Sequence, residues 1–501
     1  MLLKNPVIPG FYPDPSVCVV GEDFYSVHSS FGYFPGIPIF HSRDLTTWNQ
    51  IGHVLTRESQ LALTGASISG DGIFAPTIRH HDGTFYVITT NVRHGGNFIV
   101  HTDDPAGPWS DPVWIDSPSE SGIDPSLFFD QDGSVYFTGT GNDRVQQFRI
   151  DVASGRALEP AISVWGGTGG QYPEAPHLFR IGNTYYLTMA EGGTEYMHMQ
   201  TIARSATPYG PWESCPHNPI LTHRSRKSPF HAVGHSDFVR SHDGRWWLVF
   251  HAIRPTSYPM FHVCGRETCV APVEWIDGWP VVNGGELITS EMPGTGLPST
   301  IAFQEATSDE FDSGVLAIYW NHLRNPVVDN YRLSDRPGWL GLVPGADDLS
   351  GRGCPTFVGR RQRQQACTAM ARFDFSDLRQ GDEAGLTVFQ NEDHHYEIAG
   401  VRSVEGLELI VRRRIGDLES VVARSLRFGE SITLSIQATP EMYVLGFVDE
   451  GEQFVEIGRG RARYLGTETA GYFTGCYFGM YAVSSEHRAR PCAWIDWMSL
   501  D

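Results

Sequence analysis

Five short stretches with alternating apolar and polar positions recur through the first three hundred residues: GEDFYSV from Gly21, DGTFYVI from Asp82, DGSVYFT from Asp132, GNTYYLT from Gly182 and DGRWWLV from Asp243. Each is a turn dipeptide, or a near relative of one, followed by an aromatic, β-rich run, which marks the second strand of a hairpin. Aligned on Tyr25, Tyr86, Tyr136, Tyr186 and Trp247, the copies lie 61, 50, 50 and 61 residues apart. A unit of about 50 to 60 residues holds four short strands with their turns, and such units repeated around an axis make a β-propeller. The spacing predicts five blades over residues 1 to about 300. A β-solenoid has much shorter repeats, and a string of small domains would need linkers that the sequence lacks.

The repeat stops at SEMPGTGLPST, residues 290–300, a stretch rich in Pro, Gly and Ser. Beyond it, LELIVRRRIG, SITLSIQ, EMYVLGFVD and CAWIDWMSL are again short, alternating and bounded by turns. They predict an antiparallel β-sandwich. The expected organisation is therefore all-β, with a five-bladed propeller over 1–304 and a sandwich over 305–501.

Composition agrees with this reading and narrows the partners. Of 501 residues 41% are hydrophobic and 19% charged, as in a soluble globular protein, while 54 Gly, 32 Pro and 13 Trp suit many tight turns between aromatic strands. A formal charge of -21 would repel nucleic acid and anionic membranes, so a neutral ligand is expected. The opening MLLKNPVIPG lacks the apolar segment of a secretory signal, and no run approaches the roughly 20 apolar residues that span a bilayer. Eight scattered cysteines without a C-x-x-C pair point to reduced thiols in a cytoplasmic protein. Self-association is left open.

Eleven or twelve positions before each anchor stand Asp14, Ala75, Asp124, Glu174 and His235, in Asp14-Pro15-Ser16, Ala75-Pro76-Thr77, Asp124-Pro125-Ser126, Glu174-Ala175-Pro176 and His235-Ser236-Asp237. If these open the innermost strands, Asp14, Asp124, Glu174 and His235 converge on one axial pocket. Taken singly, an Asp-Pro-Ser is an ordinary turn starter. Three acids brought together are hard to keep charged and are seldom retained for stability. Glycoside hydrolysis needs such a set: an acid for the leaving oxygen, a carboxylate opposite it for water, and a third acid that raises the pKa of the proton donor.

FYPDPS, GIDPS and YPEAPH resemble the three acidic signatures of glycoside hydrolase family 43, the five-bladed propeller enzymes that include β-xylosidases, α-L-arabinofuranosidases and arabinanases. The resemblance continues through SSFGYFPGIPIFHSRDLTTW, GIFAPTIR, GHSDFV and GRETCVAPVEW, and so covers the whole first domain. It implies that Asp14 is the general base, Glu174 the general acid and Asp124 the residue that tunes and orients the acid. It also implies that His235 lies under the site, that Arg266 contacts the terminal sugar, and that Phe31 and Phe74 wall the pocket. The implied reaction is inverting, with carboxyl groups about 6.5 to 9.5 Å apart. Phe74 stands where many members carry tryptophan, and Ala175 where glycine is frequent; these departures bear on the preferred sugar rather than the reaction.

PGWLGL, AGLTVFQNEDHHYEIAG and FTGCYFGMYA resemble the jelly-roll, concanavalin-like sandwich appended to two-domain β-xylosidases of the family. That domain is expected to act as a scaffold, with a loop closing one side of the pocket. No cofactor is expected to be required, and the calcium that some relatives hold beside the position of His235 is not expected here. Asp309 and Asp496, near the two ends of the second domain, are candidates for a shared structural calcium, since hard oxygen ligands suit that ion. His80 with His81, and His394 with His395, are read as surface residues, because neighbours in a strand point to opposite faces. The expected activity is removal of non-reducing terminal xylose from short β-1,4-xylooligosaccharides, with α-L-arabinofuranosidase side activity. The alternatives are a dedicated α-L-arabinofuranosidase and a sugar-binding propeller without catalysis.

Overall fold

The structure is a computed structural model of the chain and describes residues 2–116, 122–256, 258–302, 305–427, 429–484 and 491–501. Five antiparallel sheets follow one another from the N-terminus, with innermost strands Ser16–Val20, Thr77–His81, Ile123–Phe129, Glu174–Ile181 and His231–Arg240. Each innermost strand packs on the next, and the fifth packs on the first, so the sheets are the blades of a closed five-bladed propeller. The aromatic anchors all fall in second strands: Tyr25 in Asp23–Val27, Tyr86 in Thr84–Asn91, Tyr136 in Val135–Gly141, Tyr186 in Thr184–Glu191 and Trp247 in Trp246–Ile253. Their apolar neighbours fill the wedges between blades: Phe137 stacks on Phe148 at 4.5 Å, and Phe24, Phe40, Trp247 and Phe250 share one cluster between the first and last blades. Alternation thus fixes which side chains face the next blade.

In the third and fourth blades the outermost strand is replaced by two short ones, Arg156–Ala157 with Ile162–Trp165, and Glu213–Ser214 with Leu221–Thr222. Pro160 sits between the first two, and Pro216 and Pro219 between the second two; proline has no N–H to donate and breaks a ladder. The ring is closed by the first residues of the chain. Leu2–Lys4 pairs with Glu291–Pro293, and the Asn5 side chain both donates to the Val270 carbonyl (3.0 Å) and accepts from its N–H (2.9 Å).

The second part is a sandwich. One sheet contains Tyr331–Arg332, Leu340–Leu342, Ala493–Leu500, Cys367–Asp374, Ser431–Ala438, Met442–Val448 and Phe454–Arg461, with Ser308–Asp309 added on Ala493–Leu500. The other contains Thr356–Arg361, Tyr477–Ser484, Asp382–Asn391, His394–Ser403, Gly406–Ile415 and Leu418–Arg427. Leu386, Val388, Ile398, Leu434, Ile436 and Leu445 are among the buried side chains between them. The boundary expected at residue 304 lies outside the described residues; Glu291–Pro293 and Ser308–Asp309 are the strands on either side of it.

The two parts are tightly joined. His322–Leu323 pairs with Tyr33–Phe34 of the first blade. Tyr33 stacks on Tyr477 at 4.0 Å, and Arg361 donates to the Phe11 carbonyl (2.8 Å) while its guanidinium lies 4.4 Å from the Tyr12 ring. The closest approach is backbone on backbone: a Cβ on Gly475 would sit 2.7 Å from the Cys264 carbonyl and from Gly265 N. Neither backbone can yield as a side chain would. Gly475→Ala is therefore expected to lower stability by about 1–3 kcal/mol, as overpacking does, and a melting curve unchanged from the parent would contradict the contact.

Two expectations fail here. Asp309 and Asp496 do not form a calcium site: both Asp309 oxygens accept protein donors, from Phe311 N (2.9 Å), the Tyr319 hydroxyl (3.0 Å) and Trp320 Nε1 (2.8 Å), and Asp496 faces Arg372. Nor are His394 and His395 on the surface. Both are buried, donating from Nδ1 to the Tyr464 and Asn391 carbonyls, because the sandwich sheet that carries them is covered on both faces.

Candidate active site

The ends of the innermost strands meet where sequence placed them, through irregular backbone. In the third, fourth and fifth blades the ladder is broken at the strand entrance, between Ile123 and Ser126, Glu174 and His177, and His231 and Asp237. Asp14, Asp124, Ala175 and His235 have φ of 55°, 54°, 52° and 50°, in the left-handed region that L-residues seldom occupy. Bulges of this kind re-aim a side chain, and here they turn Asp14, Asp124, Glu174 and His235 into one depression at the propeller axis. Left-handed backbone at Ala175 also explains why glycine is frequent there.

The depression encloses about 320 Å³ of open space and is lined by Asp14, Phe31, Phe74, Ala75, Ile123, Asp124, Glu174, Thr194, His235, Arg266 and Phe473. All seven residues expected from sequence are present. Phe31, Phe74 and Phe473 form an aromatic wall, with centroids 5.1 Å apart for Phe31–Phe74, 5.6 Å for Phe31–Phe473 and 5.7 Å for Phe74–Phe473. Phe473 comes from the sandwich, so the expected closing loop exists. Sequence reading did not single it out, since it lies in an irregular stretch whose only signal is the aromatic pair Tyr472-Phe473.

The acids differ in their surroundings. Asp14 is buried, and its carboxylate accepts from Arg266 Nη1 and from the Ser29 hydroxyl (2.5 Å), with His251 Nδ1 at 3.1 Å. Burial pushes its pKa up, but the positive charges of Arg266 and His235 outweigh that and hold it well below the usual carboxylate range. Arg266 lies with its guanidinium 5.8 Å from the rings of both Phe31 and Phe473, Nη1 on Asp14 and Nη2 donating to the Phe473 carbonyl (3.4 Å). His235 sits between Asp14 and Glu174, with Nδ1 3.5 Å from Asp14 Oδ1 and 3.8 Å from Glu174 Oε1. Burial alone would lower its pKa; the carboxylates around it, Asp14 foremost, raise it to about 9. It is therefore an imidazolium at neutral pH. The same two distances cap the separation of the Asp14 and Glu174 oxygens at 7.3 Å, their sum.

Asp124 and Glu174 share the remaining negative charge unequally, and not as the sequence implied. Burial, with Glu174 and Asp14 nearby, pushes Asp124 up to about 7, its Oδ2 accepting from Ala175 N at 3.1 Å. For Glu174, burial is outweighed by His235 and His198, and its pKa is lowered. The upward shift expected for the proton donor falls on its neighbour, so the pair as a whole keeps one proton up to about pH 7.

A rate that needs this proton is expected to fall above about pH 7, and Asp124→Asn, which removes the second negative charge, to move that limb to lower pH. A profile flat from pH 6 to 9 would overturn the assignment. Stability should decline over the same interval. The folded pKa values of Asp124 and His235 lie above their ordinary values of 3.8 and 6.5, so what each contributes is complete below that ordinary value and is lost as pH rises through about 7 and about 9.

His198 and His251, which no sequence motif singled out, stack under the site at 5.1 Å, and His198 Nδ1 lies 2.6 Å from the Gly193 carbonyl. Burial lowers the pKa of both rings, and in His198 the charge of Glu174 opposes it. Asp14, His235 and His251 are close enough together to hold a metal ion. They do not fit calcium: only one offers oxygen, that carboxylate is occupied by Arg266, and His235 carries a proton.

A propeller with three acids, a caged cation and an aromatic wall around one axial pocket belongs to the glycoside hydrolases that work with paired carboxylates. Comparison with known proteins gives the family. Residues 3–280 match Glycosyl hydrolases family 43, and residues 308–501 match the Beta xylosidase C-terminal Concanavalin A-like domain. The chain belongs to glycoside hydrolase family 43, whose enzymes are inverting.

It is 38% identical to the non-reducing end alpha-L-arabinofuranosidase BoGH43B of Bacteroides ovatus, covering 99% of this chain and 94% of the relative. It is also 38% identical to a xylosidase/arabinosidase of Butyrivibrio fibrisolvens, over 97% of this chain and 96% of that one. The solved structure of Bacteroides ovatus xyloglucan PUL GH43B superposes over the full length of both chains with a TM-score of 0.95 at 37% identity.

Proposed function

We propose that this enzyme is an exo-acting glycosidase that removes terminal xylose from the non-reducing ends of β-1,4-xylooligosaccharides and also accepts terminal α-L-arabinofuranose. The observation that carries this reading is the pocket itself, where Asp14 and Glu174 both lie within 3.8 Å of His235 Nδ1 beside Asp124, Arg266 and a wall of three phenylalanine rings. Both sugars present a similar outline at the cleaved end, and relatives named for each activity support the dual reading.

In this mechanism Asp14, ionised at any working pH, takes a proton from the water that attacks the anomeric carbon. Glu174 gives a proton to the departing glycosidic oxygen, and the bond to the leaving group breaks on the opposite face of the sugar. The proton that Glu174 delivers is the one it shares with Asp124, which steers the glutamate through the backbone N–H of Ala175. Arg266 bonds hydroxyls of the terminal sugar while holding Asp14 in place, and Phe31, Phe74 and Phe473 cover the apolar C–H face. The reaction requires no cofactor. A cytoplasmic setting belongs to the same proposal and is supported by eight cysteines, none paired with another.

The test is a substrate panel. Hydrolysis of 4-nitrophenyl β-D-xyloside and 4-nitrophenyl α-L-arabinofuranoside is expected, with the first-formed xylose in the α configuration by proton NMR. Activity on the arabinofuranoside alone would establish the dedicated arabinofuranosidase that the Bacteroides relative suggests. Inactivity on both would return the propeller to a sugar-binding role.

A further inference from the structure

Beside the catalytic pocket runs a larger cleft that neither the family match nor the acids account for. It holds about 1950 Å³ of open space, some six times that of the pocket, and shares Ile123, Glu174, Thr194, Arg266 and Phe473 with it. One wall belongs to the third and fourth blades, the other to residues 467–473 of the sandwich. The walls are tied together at Glu468, which accepts from the Tyr196 hydroxyl (2.7 Å), His262 N (3.0 Å) and His262 Nδ1 (2.8 Å). Since Glu174 stands on the border, the cleft is where the part of the substrate that departs must lie.

Two tyrosines stand exposed at this border. Tyr172 and Tyr472 are each 62% exposed, although large aromatic side chains are ordinarily buried. Both have left-handed backbone, with φ of 51° and 66°, a conformation costing roughly 1–2 kcal/mol for a residue with a side chain. Each ring lies over a glycine: a Cβ on Gly193 would meet Tyr172 at 2.8 Å, and one on Gly70 would meet Tyr472 at 3.2 Å. The rings are therefore laid down against backbone with one face open. Each is also within two residues of a pocket wall, Tyr172 before Glu174 and Tyr472 before Phe473.

We propose that Tyr172 and Tyr472 form a leaving-group subsite, on which the sugars beyond the cleaved bond stack, and that the cleft takes an uncharged oligosaccharide chain of at least two such units. Aromatic faces match the C–H faces of pyranose rings. The charge around the cleft selects against uronic acids: Asp143, Glu195 and Glu174 line it, while Arg266 is already paired with Asp14, and Glu468 and His262 are paired with each other. The proposal rests on the glycosidase reading and extends it from the sugar released to the chain left behind.

The test compares kcat/KM on xylobiose, xylotriose and xylotetraose for the parent, Tyr172→Gly, Tyr472→Gly, Tyr172→Phe and Tyr472→Phe. Glycine relieves the left-handed backbone at either site, so a folding defect is not expected, and inhibition by free xylose, which reaches only the terminal pocket, reports whether that pocket is intact. The parent is expected to gain with chain length, each glycine variant to lose about tenfold on the tetraose with the inhibition constant of xylose unchanged, and each phenylalanine variant to retain most of the gain. A xylotetraose with a uronic acid next to the cleaved unit should be the poorer substrate. If the parent hydrolyses all three oligosaccharides equally, or the glycine variants keep the full gain, the subsite is refuted while the glycosidase reading stands. If the parent hydrolyses none of them, the glycosidase reading fails first.

Discussion

Glu174→Ala is expected to slow hydrolysis of xylobiose by about 10²- to 10⁴-fold, the range for loss of a general acid, while leaving 2,4-dinitrophenyl β-xyloside within about tenfold of the parent. The difference arises at the leaving oxygen. A sugar alkoxide must be protonated as it departs, whereas dinitrophenolate is stable without a proton. The variant should also lose the fall in rate above about pH 7 on the activated substrate, because no proton is then being delivered. Equal losses on both substrates would remove Glu174 from the acid role and point to Asp124, its partner in the pair that keeps the proton.

Asp14→Ala is expected to be severe on every substrate, at least about 10³-fold whatever the leaving group, since water must be activated in each case. Its structural consequence runs the other way from that of Glu174. Asp14 is the partner of Arg266 and a near neighbour of His235 and His251, so its removal leaves a buried guanidinium uncompensated. Removing one member of a buried pair typically costs about 3–5 kcal/mol. Asp14→Asn, which preserves the acceptor for Ser29, separates the two effects: it should melt nearer the parent yet remain as inactive as the alanine variant. An asparagine variant with substantial activity on dinitrophenyl xyloside would show that some other group activates the water.

Much of this architecture is legible in the sequence because a propeller repeats its chemistry in register. Period-two alternation at Tyr25, Tyr86, Tyr136, Tyr186 and Trp247 located five second strands, and counting back from them found Asp14, Asp124, Glu174 and His235 before any geometry was available. What escaped has no period. Phe473 reaches the pocket from a turn near the far end of the chain, and Ser29, His198 and His251 touch the acids from positions that look like ordinary strand and loop. The division of charge between Asp124 and Glu174 was also hidden, because it depends on how deeply each carboxyl is buried and on which acid His198 faces. Asp309 misled for a related reason. A carboxylate near a domain end suggests an ion until Tyr319 and Trp320 are seen to fold back onto it.

Phe473 also bears on what counts as the enzyme. The pocket's third aromatic face and one whole bank of the adjoining cleft are lent by a segment more than two hundred residues after Arg266. A propeller severed from its companion would keep every acid yet present them in a trough open at one side, along which a polymer could lie and be cut internally. Joining this blade ring to another module would thus alter where along a chain it bites.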